Sequence, residues 1–171
     1  MIVLGLDPGS RHFGWGVVER IGTRLIHRAH GIVHTDVNEA LGERLVEIEA
    51  ALVDVVRVHA PTEASIESIF FDKNAQSAAK LGHARGVGLL VCARAGLSVA
   101  EYPPALVKRA VAGSGAAEKG QVAQMIRVVL GLREAPKADA ADALAVAVAH
   151  LQRSQVMLQS PGRNIRGRSS V

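Results

Sequence analysis

Four carboxylates stand where carboxylates are costly. Asp7 closes the apolar run Leu4-Gly5-Leu6 and is followed by Pro8-Gly9. Glu67 closes Ala64-Ser65-Ile66, and Asp139 and Asp142 lie in Ala138-Asp139-Ala140-Ala141-Asp142-Ala143. A charge beside apolar sequence is unfavourable unless a partner offsets its burial. Hard oxygen donors suit Mg²⁺ or Mn²⁺, and no Cys/His cluster has zinc spacing. Two such ions ~4 Å apart activate a water and stabilise the leaving oxygen of a phosphodiester. Four carboxylates balance two divalent ions. Asp139 and Asp142, three residues apart, share one helical face. Alone, acids in a first helical turn commonly do no more than satisfy the helix dipole. The four together, in this element order, point to metal.

The elements that must position them follow from periodicity. Residues 2–7 and Phe13-Gly14-Trp15-Gly16-Val17-Val18 read as strands, and a third runs from Thr23 to Thr35. Such short links imply antiparallel neighbours. Leu41, Leu45, Ile48, Leu52, Val55 and Val56 recur at helical spacing, with a stop before Pro61. A strand is expected over Ala64–Phe70, a helix from Asn74 to about Ala95, and a strand over Leu97–Tyr102. Helices are expected at Pro104–Val111, Lys119–Leu130 and Asp139–Arg153. Gly82, Gly86 and Gly88 lower helix propensity, which suggests close packing of another helix, such as one from a second subunit. The order describes an α/β fold with a mixed five-stranded sheet flanked by helices. It matches the ribonuclease-H-like fold, which places acids at the ends of central strands and on its last helix. One domain is expected over residues 1–154, with 155–171 a basic, disordered tail.

Composition narrows the class. The chain of 171 residues is 49% apolar and 21% charged, ordinary for a globular domain, with only 3% aromatics. A formal charge of +4 and a pI near 9.7 fit a polyanionic partner. Cys92, the only cysteine, lies among Leu89, Leu90, Val91 and Ala93 and reads as a buried structural thiol. No run reaches the ~18 apolar residues of a membrane span, and no leader is evident, so a reducing cytoplasmic setting is expected.

The sequence resembles the RuvC family of bacterial Holliday-junction resolvases. The resemblance rests on Gly5-Leu6-Asp7-Pro8-Gly9-Ser10-Arg11, Ile66-Glu67-Ser68-Ile69-Phe70, Lys73-Asn74, Lys80-Leu81-Gly82-His83-Ala84-Arg85-Gly86, Ala117-Glu118-Lys119 and Ala138–Ala145. These blocks keep family order from residue 2 to about 153. The resemblance implies a homodimer that binds a four-way DNA junction and nicks two opposed strands, leaving 5′-phosphate and 3′-hydroxyl ends. It implies work alongside the RuvA–RuvB branch-migration complex. By motif, Asp7, Glu67, Asp139 and Asp142 are the metal-binding catalytic acids. Lys108 and Lys119 match basic positions facing the scissile DNA, Lys119 with a catalytic role, and Phe70 matches an aromatic that stacks on a base. Ser68, Phe71-Asp72 and Gly120 depart from the family pattern, which bears on sequence preference or DNA fit, while the four acids match it.

Other residues add weaker signals. Phe70 and Phe71 on a strand face opposite ways, so one can pack while the other stacks on a base, worth ~1–3 kcal/mol. The glycine-rich loop before Lys119 lets a backbone approach closely, and a lysine there can hold phosphate. Arg11 follows the Asp7 turn as a possible DNA contact. Lys73, Lys80, His83 and Arg85 suit a phosphate-contacting face, although helices often carry such charges for solubility. His12, His27, His30, His34, His59 and His150 show no ligand spacing and read as structural or exposed. Trp15 is expected in the core or under the sheet. An actin-like ATP-binding protein would need a second domain for which there is no room. A non-catalytic junction binder would be expected to lack an acid. An RNA-directed relative fits the Phe70 region and the Ala138–Ala145 block poorly.

Overall fold

The computed structural model describes residues 1–68, 75–113, 115 and 119–159, the side chains of 75–77, 119 and 155–159 excepted. Five strands form one sheet: β1 (Ile2–Asp7), β2 (His12–Ile21), β3 (Arg24–His34), β4 (Glu63–Glu67) and β5 (Val99–Tyr102). Their spatial order is β3-β2-β1-β4-β5. The first three form an antiparallel meander, and β4 and β5 join parallel to β1. This is the mixed sheet expected of the ribonuclease-H-like fold. The helices are α1 (Leu41–His59), α2 (Ala75–Arg94), α3 (Pro104–Ala112), α4 (Lys119–Val129) and α5 (Ala138–Gln159).

Several boundaries differ from expectation. β2 runs to Ile21 because its pairing with β3 continues into the turn. β4 ends at Glu67 rather than Phe70, and residues 69–74 lie outside the described residues. β5 starts at Val99. α5 continues to Gln159, so residues 155–159 belong to a helix and not to a tail. The apolar Val156, Met157 and Leu158 are good company for a helix. Residues 160–171 lie outside the described residues.

The core is split by the sheet. Leu4, Leu6, Phe13, Val17 and Ile66 pack with Ile48 and Leu52 of α1 and Val91 of α2 on one face. Val3 and Val18 pack with α3, α4 and α5 on the other. Cys92 is fully buried in the first layer, and burial pushes its thiol up to about 11, as expected of a structural cysteine. Trp15 is half-buried on the α1 side, beside Gly31 and with its ring 6.1 Å from that of His59. From Ala143 to Ala149, α5 is buried on all sides. A helix apolar all round belongs inside, and here it lies between the sheet and α3–α4.

Small residues determine how close α5 comes. A Cβ at Gly5 would stand 2.0 Å from the Ala143 carbonyl oxygen, and one at Gly14 2.1 Å from that of Asp139. At Gly16 it would meet Leu144 Cδ2 at 2.6 Å. Helix backbone therefore rests directly on strand backbone along β1 and β2.

Candidate active site

The register brings the acids together. Leu6 of β1 pairs with Ile66 of β4, so the next residues, Asp7 and Glu67, end neighbouring strands. Side chains alternate along a strand. Leu4, Leu6, Ala64 and Ile66 belong to the α1–α2 layer, which turns Asp7 and Glu67 toward α5. Asp7 in turn pairs with Gly14, the glycine on which the Asp139 backbone rests. Asp139 lies in the first turn of α5, and Asp142 follows on the same face. All four acids are half-buried and line a single cavity of about 750 Å³.

Both strand ends are held by buried arginines, Arg44 from outside the motif blocks and Arg85 from within one. Arg44 of α1 is 7% exposed. It donates from Nε to Thr35 Oγ1 at 3.1 Å and from Nη2 to the Ser10 carbonyl. Thr35 donates its hydroxyl to the same carbonyl at 2.7 Å and its N–H to the Arg11 carbonyl at 3.1 Å. The loop after Asp7 is thus clamped to the end of β3. Arg85, expected on a phosphate-contacting face, is instead buried. It donates from Nη1 to the Glu67 carbonyl at 2.8 Å and pairs through Nη2 with Glu101 at 2.8 Å. Its guanidinium is used within the protein because α2 sets this one residue against the ends of β4 and β5, while Lys80 and His83 stay exposed. The Ser68 N–H donates to the Tyr102 carbonyl at 2.8 Å and fixes the same strand end.

Arg11, Lys80 and Lys108 line the cavity with the acids, Arg11 and Lys80 exposed and Lys108 half-buried. Lys119 begins α4, with its side chain outside the described residues; Phe70, Phe71 and Lys73 lie wholly outside them. His83 is exposed on α2. His150 is buried on α5 between Tyr102 Oη, 2.8 Å from Nδ1, and Glu63, 2.7 Å from Nε2. Burial also raises the Tyr102 phenol. Sequence spacing missed His12 and His34, which are cross-strand partners at the start of the β2–β3 ladder.

The four acids fit hard divalent cations: they bring carboxylate oxygens to one cavity, with no thiol among its lining residues. Among the described residues, no group of three or more His, Cys, Asp or Glu side chains is already closed around an ion position.

The comparisons with known proteins point to one family. The family model "Crossover junction endodeoxyribonuclease RuvC" matches residues 3–150. RuvC of Sorangium cellulosum (strain So ce56) is 60% identical over 151 residues, spanning 88% of this chain and 84% of that protein. The solved structure of Thermus thermophilus RuvC in complex with Holliday junction substrate superposes with a TM-score of 0.86 at 38% identity, covering 92% of this chain and 96% of that one. The yeast mitochondrial Holliday junction resolvase, at 12% identity and a TM-score of 0.67 over 92% of this chain and 80% of its own, shares the fold. An acid-lined cavity at the end of a ribonuclease-H-like sheet, a match along nearly the whole chain and a 60% identical relative lead to one assignment: this chain belongs to the RuvC family of crossover junction endodeoxyribonucleases, nucleases that depend on divalent metal.

Proposed function

We propose that Asp7, Glu67, Asp139 and Asp142 form the catalytic centre of a Holliday-junction resolvase and hold two Mg²⁺ or Mn²⁺ ions. The observation that carries this reading is the convergence of four acids from β1, β4 and α5 on one cavity whose rim carries Arg11, Lys80 and Lys108. When bound, the ion pair supplies charge to the attacking water and the leaving oxygen. The chain's own residues do the rest. The acids fix the cation positions. Arg44 and Arg85 hold the two strand ends in line. Lys108, with Lys119 by family resemblance, holds the scissile phosphate, while Arg11 and Lys80 hold its neighbours. Attack breaks the P–O3′ bond and leaves a 5′-phosphate and a 3′-hydroxyl. Phe70 and Lys73 keep their DNA-contacting roles on resemblance alone.

The same reading makes the enzyme a cytoplasmic homodimer that cuts two opposed strands of a four-way junction and works with RuvA–RuvB. Support for a dimer comes from α2, where a Cβ at Gly82 or Gly86 would meet open space and Leu90 is 46% exposed. Among the described residues, no helix is long and apolar enough to cross a membrane.

The test is nicking of a synthetic four-way junction against linear duplex of the same sequence, in Mg²⁺, Mn²⁺ or EDTA. Paired, symmetric, ligatable cuts in the junction alone, and only with metal, are expected. Asp7→Asn should lower cleavage at least about 100-fold, more than the loss of a group that merely orients a ligand, while junction binding persists. Cleavage by this variant at the normal rate would sink the ligand assignment.

A further inference from the structure

His12 and His34 are outside the motif blocks and contribute nothing to the centre just described. They open the β2–β3 ladder as direct partners, with Nδ1 atoms 2.9 Å apart and rings 5.0 Å apart at 75°. Both are exposed, and His12 lines the acid cavity. Their base is rigid: Thr35, next to His34, is buried and tied to Ser10, Arg11 and Arg44.

The short Nδ1–Nδ1 contact constrains the protons. One ring donates from Nδ1 and the other accepts, so the donor ring leaves a bare Nε2 while the acceptor ring carries an N–H there. One added proton converts the bare Nε2 to a donor. The pair then holds a single charge and two N–H groups directed away from each other. A second proton would set two Nδ1–H donors against each other and break the Nδ1–Nδ1 bond.

We propose that this imidazole pair, in its singly protonated form, binds a backbone phosphate of the DNA next to the scissile one and makes junction affinity depend on pH. The inference rests on the reading of the cavity as a DNA site. A phosphate oxygen pair matches two donors and one shared charge. The charged groups around the pair are Arg11 and Arg44 beside it on the loop and α1, and Asp36 just beyond Thr35. Across the cavity stand the four acids, Lys80 and Lys108. A second imidazole pair, His27 Nε2 to His30 Nδ1 at 2.7 Å, lies farther along β3. Burial pushes both of its rings down, and it does not line the cavity.

The experiment is junction binding in EDTA, where no cutting occurs, at about pH 6 and about pH 8, either side of the ordinary imidazole value. The wild type should bind about two- to fivefold more tightly at the lower pH, with a salt slope steeper by about one phosphate. H12A/H34A should lose both effects, and H34K should show the steeper slope at both pH values. Thermal melts check that each variant is folded. An unchanged pH response in H12A/H34A overturns the proposal. So does a pH response that appears only when EDTA is omitted, which would mark the pair as a transition-metal site. Wild-type binding with no preference for the junction over duplex, at either pH, would overturn the reading of the cavity itself and the pair's role with it.

Discussion

The two faces of the sheet are packed by different means. On the α1–α2 face, Leu4, Leu6, Phe13 and Val17 meet Ile48 and Leu52 through long side chains. On the α5 face, Gly5, Gly14 and Gly16 remove side chains, and helix backbone lies on strand backbone. Side-chain packing tolerates repacking, because neighbours change rotamer to fill a small change in volume. Backbone contact has no such slack. The acids sit on the second face, and three of the four are aspartates with one methylene of reach. Short carboxylates meet only if the elements carrying them are brought close, and the glycines do that.

Substitutions on each face test this contrast. Gly5→Ala should have the largest effect: its Cβ meets the Ala143 carbonyl, so α5 must shift, costing about 3 kcal/mol or more. Cleavage should also fall in whatever fraction stays folded, read by denaturant titration beside nicking assays. If cleavage per folded molecule stays normal, backbone contact does not set the site. Leu52→Ala, fully buried on the other face, should lose about 2–4 kcal/mol yet cut at a near-normal rate per folded molecule. A large drop in that rate would show that both faces align the acids. Ser65→Ala should be smallest. Its buried Oγ has no hydrogen-bond partner among the described residues, so removal should leave stability unchanged or raise it by about 1 kcal/mol. A loss above that in chemical denaturation would reveal a partner for the hydroxyl.

The legible part of the molecule was local. Asp7, Glu67, Asp139 and Asp142 announce themselves by ending apolar runs or opening an alanine-rich helix, and the element order puts them at one sheet edge. The hidden part was long-range. His12 and His34 are 22 residues apart in sequence, and their contact depends on the β2–β3 register. Arg85 looks like any charged residue on a helix until α2 is placed against β4 and β5. Arg44 sits at a helical position among Glu43, Leu45 and Glu47, with nothing local to say that Ser10 and Thr35 lie beneath it. The length of α5 was missed because Arg153, Ser154 and Gln155 resemble an ending, while Val156 to Leu158 continue the helix.

Arg85 is also a strut. It joins α2 to the main chain of Glu67 through one guanidinium, with Glu101 bracing the far side. The Arg85–Glu67 hydrogen bond ties the end of β4 to α2 as well as to its neighbouring strands. The position of the Glu67 carboxylate is therefore set by a helix as well as by the sheet that carries it.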